Sequence, residues 1–386
     1  MVGQRSTQSE SISFNHASTI GRELEYVEQA IMAGRLSGNR AFSGKCQSML
    51  EEALAVPKAL MTTSGTAALE MAALLLDVGP DDEVIVPAFT FVSTANAFAL
   101  RGARIVFCDV RSDTLNLDET SLERLITPRT KAIVPVHYGG VACNMGPILE
   151  IADRHCIAVV EDNVHGLFGG FNGKSLGTFG RLAAQSFHDT KNFTCGEGGA
   201  LLINDPQYVR RAEIIHEKGT NRSQFQRGEV DWYTWTDLGS SYGLSELLAA
   251  FLYGQLEQHE HVQARRRGIF RFYADALADW ALERGIRLPT VPEGVEPAYH
   301  MFYLIMPSEA ARESFIADLA AQGVEAVTHY QPLHLSPMGL RFGNRPGMCP
   351  VTEEACKCLV RLPFYTTLGD DQLARVVGAA QSWQVA

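Results

Sequence analysis

The sequence predicts an α/β protein: a large domain on a mainly parallel, helix-covered sheet, followed by a smaller α+β domain. Three observations carry this. Apolar, β-branched runs recur at residues 83–87, 104–110, 132–136, 157–161, 183–187 and 200–203, with helical stretches between them. Strands alternating with helices make a mainly parallel sheet covered on both faces. Residues 244–282 are almost free of helix breakers and place apolar residues at helical spacing. Pro289, Pro292, Gly294 and Pro297 then punctuate the chain as a linker would.

Taken in order, residues 1–13 are polar and read as a flexible tail. The first crossover helix opens at Thr63-Ser64-Gly65-Thr66 and runs through an Ala- and Leu-rich stretch to Leu74, a hydroxyl cap followed by strong helix formers. Its N-terminus is a natural phosphate seat. The run at 157–161 is a buried strand that delivers Glu161 and Asp162 at its C-terminal end, the edge where open α/β sheets bind ligands. Residues 217–235 are polar and aromatic and too long for a tight turn. The large domain is expected over 14–255 and the small one over 256–386, joined by a long helix near 244–282. Within the small domain, 301–306 and 324–329 read as strands around a helix at 310–322. No internal repeat appears.

With 386 residues and 46% hydrophobic content, the chain buries a large core. A formal net charge of -11 opposes binding to a long polyanion, so nucleic acid is not expected as a partner. The eight cysteines show no metal-ligand spacing, with only a C-x-C at Cys356 and Cys358, and are expected to be reduced thiols. No metal is expected. Residues 1–13 lack the apolar segment of a signal peptide, and no apolar run approaches the roughly 18 residues of a membrane span. A cytoplasmic protein without a membrane partner is the expectation, and the sequons at Asn192 and Asn221 are set aside accordingly.

The segment from Ser186 through Lys191 to Gly196-Glu197-Gly198-Gly199 places one lysine among small residues directly after a strand. A free lysine with a pKa of about 10.4 is a poor nucleophile, but condensed with an aldehyde cofactor it exchanges with an incoming amine and shuttles protons. An aspartate at a strand end, poised to hold a pyridinium nitrogen protonated, completes the minimum that pyridoxal 5'-phosphate (PLP) needs.

These two segments resemble the DegT/DnrJ/EryC1/StrS family of sugar aminotransferases, in which a strand-Glu-Asp precedes a Ser-Phe-x-x-x-Lys-x-x-x-x-Gly-Glu-Gly-Gly pattern. The resemblance covers nearly the whole chain from Phe14 and implies the aspartate-aminotransferase architecture, fold type I. It makes Lys191 the Schiff-base lysine and Asp162 the partner of the ring nitrogen. It places His165 near the ring, Phe91 on the ring face, and Ser64, Gly65, Thr66 and Ser186 around the phosphate. It also implies that residues 217–235 reach a neighbouring subunit, giving a homodimer with shared active sites. Ser241 stands where an asparagine usually contacts the partner's cofactor phosphate, and Gly243 where an arginine is usual. Arg222, the Gly34–Gly38 loop with Ser37, and His329-Tyr330 of a His-Tyr-x-Pro-Leu-His signature are implied to contact the substrate.

The runs at 90–98, 135–143 and 217–225 look most like the WecE-type dTDP-4-keto-6-deoxyglucose aminotransferases. That likeness implies amino transfer from L-glutamate to C4 of a nucleotide-linked 4-keto-6-deoxyhexose, giving a dTDP-4-amino-4,6-dideoxyhexose. A 3-keto-sugar aminotransferase would share every cofactor residue. A PLP-dependent sugar dehydratase is disfavoured by lysine at position 191, where related dehydratases carry histidine. A regulatory protein on the same fold conflicts with the complete Asp162, Ser186 and Lys191 set.

Overall fold

The computed structural model describes residues 11–384. Its central sheet has seven strands: β1 (Lys58–Thr62), β2 (Glu83–Pro87), β3 (Arg104–Cys108), β4 (Thr130–Ile133), β5 (Ala158–Asp162), β6 (Leu182–Ser186) and β7 (Gly199–Ile203). They lie in the order β1-β7-β6-β5-β4-β2-β3. Only β7 runs against its neighbours, pairing antiparallel with both β1 and β6, while β6, β5, β4, β2 and β3 are parallel. Strands such as β2, β5 and β7 are buried along their whole length, which is why they read as continuous apolar runs rather than as alternating ones. One face packs on the helices Gly65–Leu75 and Val92–Ala99, and another core holds the helices Ala41–Leu54 and Glu246–Leu256.

The expected single helix at 244–282 is two helices, Glu246–Leu256 and His259–Glu283. The break at Glu257 and Gln258 lets the first join the large-domain core and the second the small-domain core, where Ile269, Tyr273 and Leu277 are fully buried. Helix propensity did not mark this break, because it serves packing against two different cores.

The small domain differs from expectation in one strand. β8 (Tyr303–Ile305) pairs antiparallel with β9 (Leu359–Arg361), a three-residue strand wedged between the helix Pro350–Cys358 and Pro363. Residues 324–329 make only isolated bridges, Ile12 with Val324 and Val327 with Arg361. Residues 1–10 of the expected tail lie outside the described residues. Its last part is anchored: Ile12 is fully buried and its backbone bonds Gly323 and Glu325. Among the described residues no helix is long and apolar enough to cross a membrane, and no His, Cys, Asp and Glu cluster suits a metal ion.

Candidate active site

Asp162 is the last residue of β5 and is buried. Its Oδ2 accepts from the Thr94 hydroxyl at 2.6 Å, and Thr94 in turn meets Thr90 at 2.7 Å. Burial raises the Asp162 pKa, opposed by that hydrogen bond and by the positive charge of Lys191. The neighbouring Glu161 points the other way and builds the loop. It accepts from the backbone N–H groups of Gly177, Phe179 and Gly180 at 2.6–2.8 Å and meets His137 Nε2 at 2.9 Å. Alternation along a strand thus gives one carboxylate to the scaffold and the next to the cavity.

Lys191 lies in the loop between β6 and β7, its backbone N–H bonded to the His188 carbonyl. Among the described residues its amine has no hydrogen-bond partner. Burial lowers its pKa to about 8; Asp162 opposes this and Arg361 adds to it. Both groups line one cavity of about 440 Å³, together with Ser64, Gly65, Thr66, Phe91, His165, Ser186, His329 and Tyr330.

One corner of the cavity is the start of the helix Gly65–Leu75. Ser64 caps it by accepting from the Ala67 N–H at 3.1 Å, and the Thr66 hydroxyl donates to Ser93 at 2.7 Å. A Cβ on Gly65 would meet the Ser186 Cβ at 3.0 Å, so glycine lets the helix start close on the end of β6. Gly199 is tighter still: a Cβ there would lie 2.3 Å from the Ser64 carbonyl carbon. The orphan N–H groups of a helix start, beside the Ser186 hydroxyl, suit a phosphate dianion. Phe91, at the entry to the helix Val92–Ala99, is 56% exposed and offers its ring to the cavity.

The opposite wall mixes both domains. His165 stacks on His300, with ring centroids 4.1 Å apart, and His300 Nδ1 is held by Asn192 Oδ1 at 2.9 Å. His329 Nδ1 meets the Tyr138 hydroxyl at 2.9 Å and its ring stacks on Tyr330. Burial holds all three histidines well below their ordinary pKa, so they face the cavity neutral. Arg361 of β9 completes this wall.

Thr94, His300 and Arg361 were absent from the sequence-based site. The first could have been found from its place on the helix after the Thr90-Phe91 turn; no local signal marks the other two. Three expected residues are not brought to the cavity of their own chain. Ser37 and Ser241 are solvent-exposed, and Arg222 sits 3.8 Å from Glu217. A site assembled from two chains is the arrangement for which Arg222 and Ser241 were singled out.

The donor set fits PLP. Asp162 would face the ring nitrogen, Phe91 the ring, Lys191 the aldehyde, and residues 64–66 with Ser186 the phosphate. His165 Nδ1, buried without a hydrogen-bond partner among the described residues, is available to a polar ring substituent. A family model described as the DegT/DnrJ/EryC1/StrS aminotransferase family matches residues 19–381. The chain belongs to this family. GDP-perosamine synthase of Caulobacter vibrioides is 34% identical over 365 residues, 93% of this chain and 94% of that protein. The spore coat polysaccharide biosynthesis protein SpsC of Bacillus subtilis is 32% identical over 331 residues, 84% of each chain. Among solved structures, S. venezuelae DesV aligns with a TM-score of 0.89 at 28% identity, covering 98% of this chain and 100% of that one. The putative sugar aminotransferase Spr1654 from Streptococcus pneumoniae, solved in its PMP form, gives 0.89 at 25% identity and covers 96% and 98%. This member of the DegT/DnrJ/EryC1/StrS family is a PLP-dependent sugar aminotransferase of fold type I.

Proposed function

We propose that the protein transfers the amino group of L-glutamate to C4 of a nucleotide-linked 4-keto-6-deoxyhexose, dTDP-4-keto-6-deoxyglucose in the first instance. The observation that carries the chemistry is the single cavity in which a free lysine amine, with its pKa lowered to about 8, answers a buried aspartate. Bound there, PLP supplies the carbonyl with which amines condense and the electron sink for the developing carbanion. The charge on Asp162 stabilises a protonated ring nitrogen, and Thr94 fixes the carboxylate's orientation. Lys191 Nζ takes the proton from the donor's α-carbon in one half of the cycle and returns one to the sugar carbon in the other. His329 and Tyr330, on the wall contributed by the small domain, supply hydrogen-bonding groups for sugar hydroxyls.

Support for the 4-keto-6-deoxyhexose comes from the sequence runs at 90–98, 135–143 and 217–225. The similarity to a protein named GDP-perosamine synthase favours a second reading for the base, in which the sugar is carried on GDP. The test supplies glutamate with dTDP- and GDP-linked 3-keto and 4-keto sugars and solves the product by NMR. The expected product is a dTDP-4-amino-4,6-dideoxyhexose. An amine at C3 overturns the regiochemistry, and turnover of GDP-linked sugars alone replaces the base.

A further inference from the structure

A second cavity of about 440 Å³ opens at the far edge of the central sheet, where the transamination uses no residue. Lys131 of β4, Ala158 at the start of β5 and Arg181, one residue before β6, line it. Asp162 and Ser186 end β5 and β6, so the two cavities stand a strand's length apart, roughly 13 Å at about 3.3 Å per residue. The remaining wall comes from the end of the helix Gly65–Leu75, with Leu76 and Asp77, and from the start of the helix Val209–His216, with Gln207, Tyr208 and Arg211.

This cavity is cationic in a chain whose formal net charge is -11. Its three basic residues are not equivalent. Arg211 is committed: Nε donates to Asp237 at 2.8 Å, Nη2 to Asp77 at 2.7 Å and Nη1 to the Leu75 carbonyl at 3.3 Å. Those bonds occupy Asp77, the one carboxylate of the lining among the described residues. Asp205, two residues before Gln207, is turned to that residue and accepts from its backbone N–H at 3.1 Å and from its side-chain amide. Lys131 is half-buried, and among the described residues its amine has neither an ion pair nor a hydrogen bond. Arg181 has only a long 3.5 Å contact from Nη1 to the Tyr208 hydroxyl. Its backbone is fixed, with the N–H bonded to the Val159 carbonyl at 2.9 Å and the carbonyl accepting from Asn204 and Asp205. Two uncompensated cations therefore share one open cavity, and the helix Val209–His216 adds the positive end of its dipole. Such a local concentration of positive charge attracts an anion against the net charge of the whole protein.

We propose that this cavity binds an organic phosphate of nucleotide size, its phosphate oxygens on Lys131 and Arg181 and its apolar body against Leu76, Ala158 and the Tyr208 ring. A planar guanidinium fork beside a mobile ammonium suits the spread of oxygens on a phosphate or diphosphate. The volume is that of an ordinary small-molecule site, most of which inorganic phosphate would leave unfilled. Neither the cofactor nor the keto-sugar enters this site, so it is independent of the donor and acceptor of the transamination.

Cys156 supplies a local reporter. It lines the cavity and is the one exposed cysteine of the eight. Its alkylation by uncharged iodoacetamide, followed by peptide mass spectrometry on the PLP-loaded protein, reads occupancy without reference to activity. The probe is adenosine diphosphate, whose base is neither of the two weighed for the sugar substrate, with pyrophosphate, inorganic phosphate and potassium chloride at equal ionic strength run beside it. Adenosine diphosphate should protect Cys156 at concentrations about 10-fold below those that pyrophosphate needs. Lys131→Gln and Arg181→Gln should each raise the half-protecting concentration about 10-fold, the loss of one charge-assisted contact, with transamination unchanged. Protection by pyrophosphate at the same concentration overturns the apolar half of the site. Protection that potassium chloride reproduces, that both variants retain, or that no phosphate compound gives overturns the site itself. Thermal melts check folding, and Arg181→Gln, at an exposed position, carries the comparison if the Lys131 variant does not fold.

Discussion

Lys191 sits between two opposing influences, and the balance sets the pH at which its amine is free. Burial and the nearby charge of Arg361 lower its pKa, while Asp162 raises it, with a net position of about 8. The amine should therefore be half neutral near pH 8, whereas an exposed lysine reaches that point only near 10.4. Competitive acylation of the cofactor-free protein, read by peptide mass spectrometry, should show Lys191 labelling rising through a midpoint near pH 8 and levelling off about one to two pH units above it. The two neighbours give the experiment its signs. Asp162→Asn removes the group that favours the ammonium and should move the midpoint down; Arg361→Gln removes a repelling charge and should move it up. His165, His300 and His329 also face this space, but burial keeps them neutral, so they should not add an inflection near pH 7. A midpoint for Lys191 near 10, or one indifferent to Asp162→Asn, would mean that the two groups do not share one electrostatic environment.

At the scale of elements, the phosphate corner depends on how closely β7 approaches the helix Gly65–Leu75, and that approach is a steric statement about one glycine. A Cβ at Gly199 would stand 2.3 Å from the Ser64 carbonyl carbon and 2.5 Å from the Gly65 nitrogen, both backbone atoms that cannot swing aside. Gly199→Ala should cost about 1–3 kcal/mol or more in urea unfolding and weaken cofactor binding with it. The same substitution at Gly378, inside the helix Asp370–Ser382 with no atom within 4 Å, should instead stabilise by about 0.5–1 kcal/mol. Equal effects at the two positions would remove the steric argument. These elements also show what sequence carries. β2 to β7 were legible because strands buried in the middle of the molecule are short apolar runs, whichever way they pair. β1, Lys-Ala-Leu-Met-Thr, was not, since it has no Val or Ile to set it apart from a helical stretch, and β9 was not, since three residues are too few to show a pattern. The break at Glu257 and Gln258 was invisible because both flanking sequences are good helices, and only tertiary packing separates them. The site divides in the same way. Lys191, Asp162 and Ser186 lie in compact local motifs that announce their chemistry. His300 and Arg361 reach the cavity through folding of the small domain onto the large one, and no spacing in the sequence reports that meeting.

For the whole molecule, the decisive fact is which expected residues the single chain leaves outside its own cavity. Arg222 and Ser241 belong to one excursion: Glu217 bridges Ser241, Thr220 bridges Trp235, and a short helix spans Arg222–Gln226. This excursion carries Trp232 and Trp235 about three-quarters exposed, at 73% and 75%, with Tyr233 and Leu238 more than half exposed. Large apolar side chains gathered on one exposed segment are what a partner's surface would cover. A two-fold dimer is the simplest closed arrangement that would do so, each copy offering its excursion to the other. In that assembly Lys191 and Asp162 come from one chain, while Arg222 and Ser241 come from its partner. The arrangement predicts complementation. Lys191→Ala and Arg222→Ala should each be inactive or nearly so alone, yet after mixing and reassembly a hybrid dimer holds one site with both native residues. Random pairing in equal amounts should restore about a quarter of wild-type activity, because half the dimers are hybrids and each hybrid has one intact site of two. Replacing Arg222→Ala by Ser241→Ala asks the same question of the second position. Sedimentation at assay concentration supplies the independent reading. A fully active monomer would exclude a shared site, whereas a dimer in which neither pair complements would keep the assembly but return Arg222 and Ser241 to the surface of their own chain.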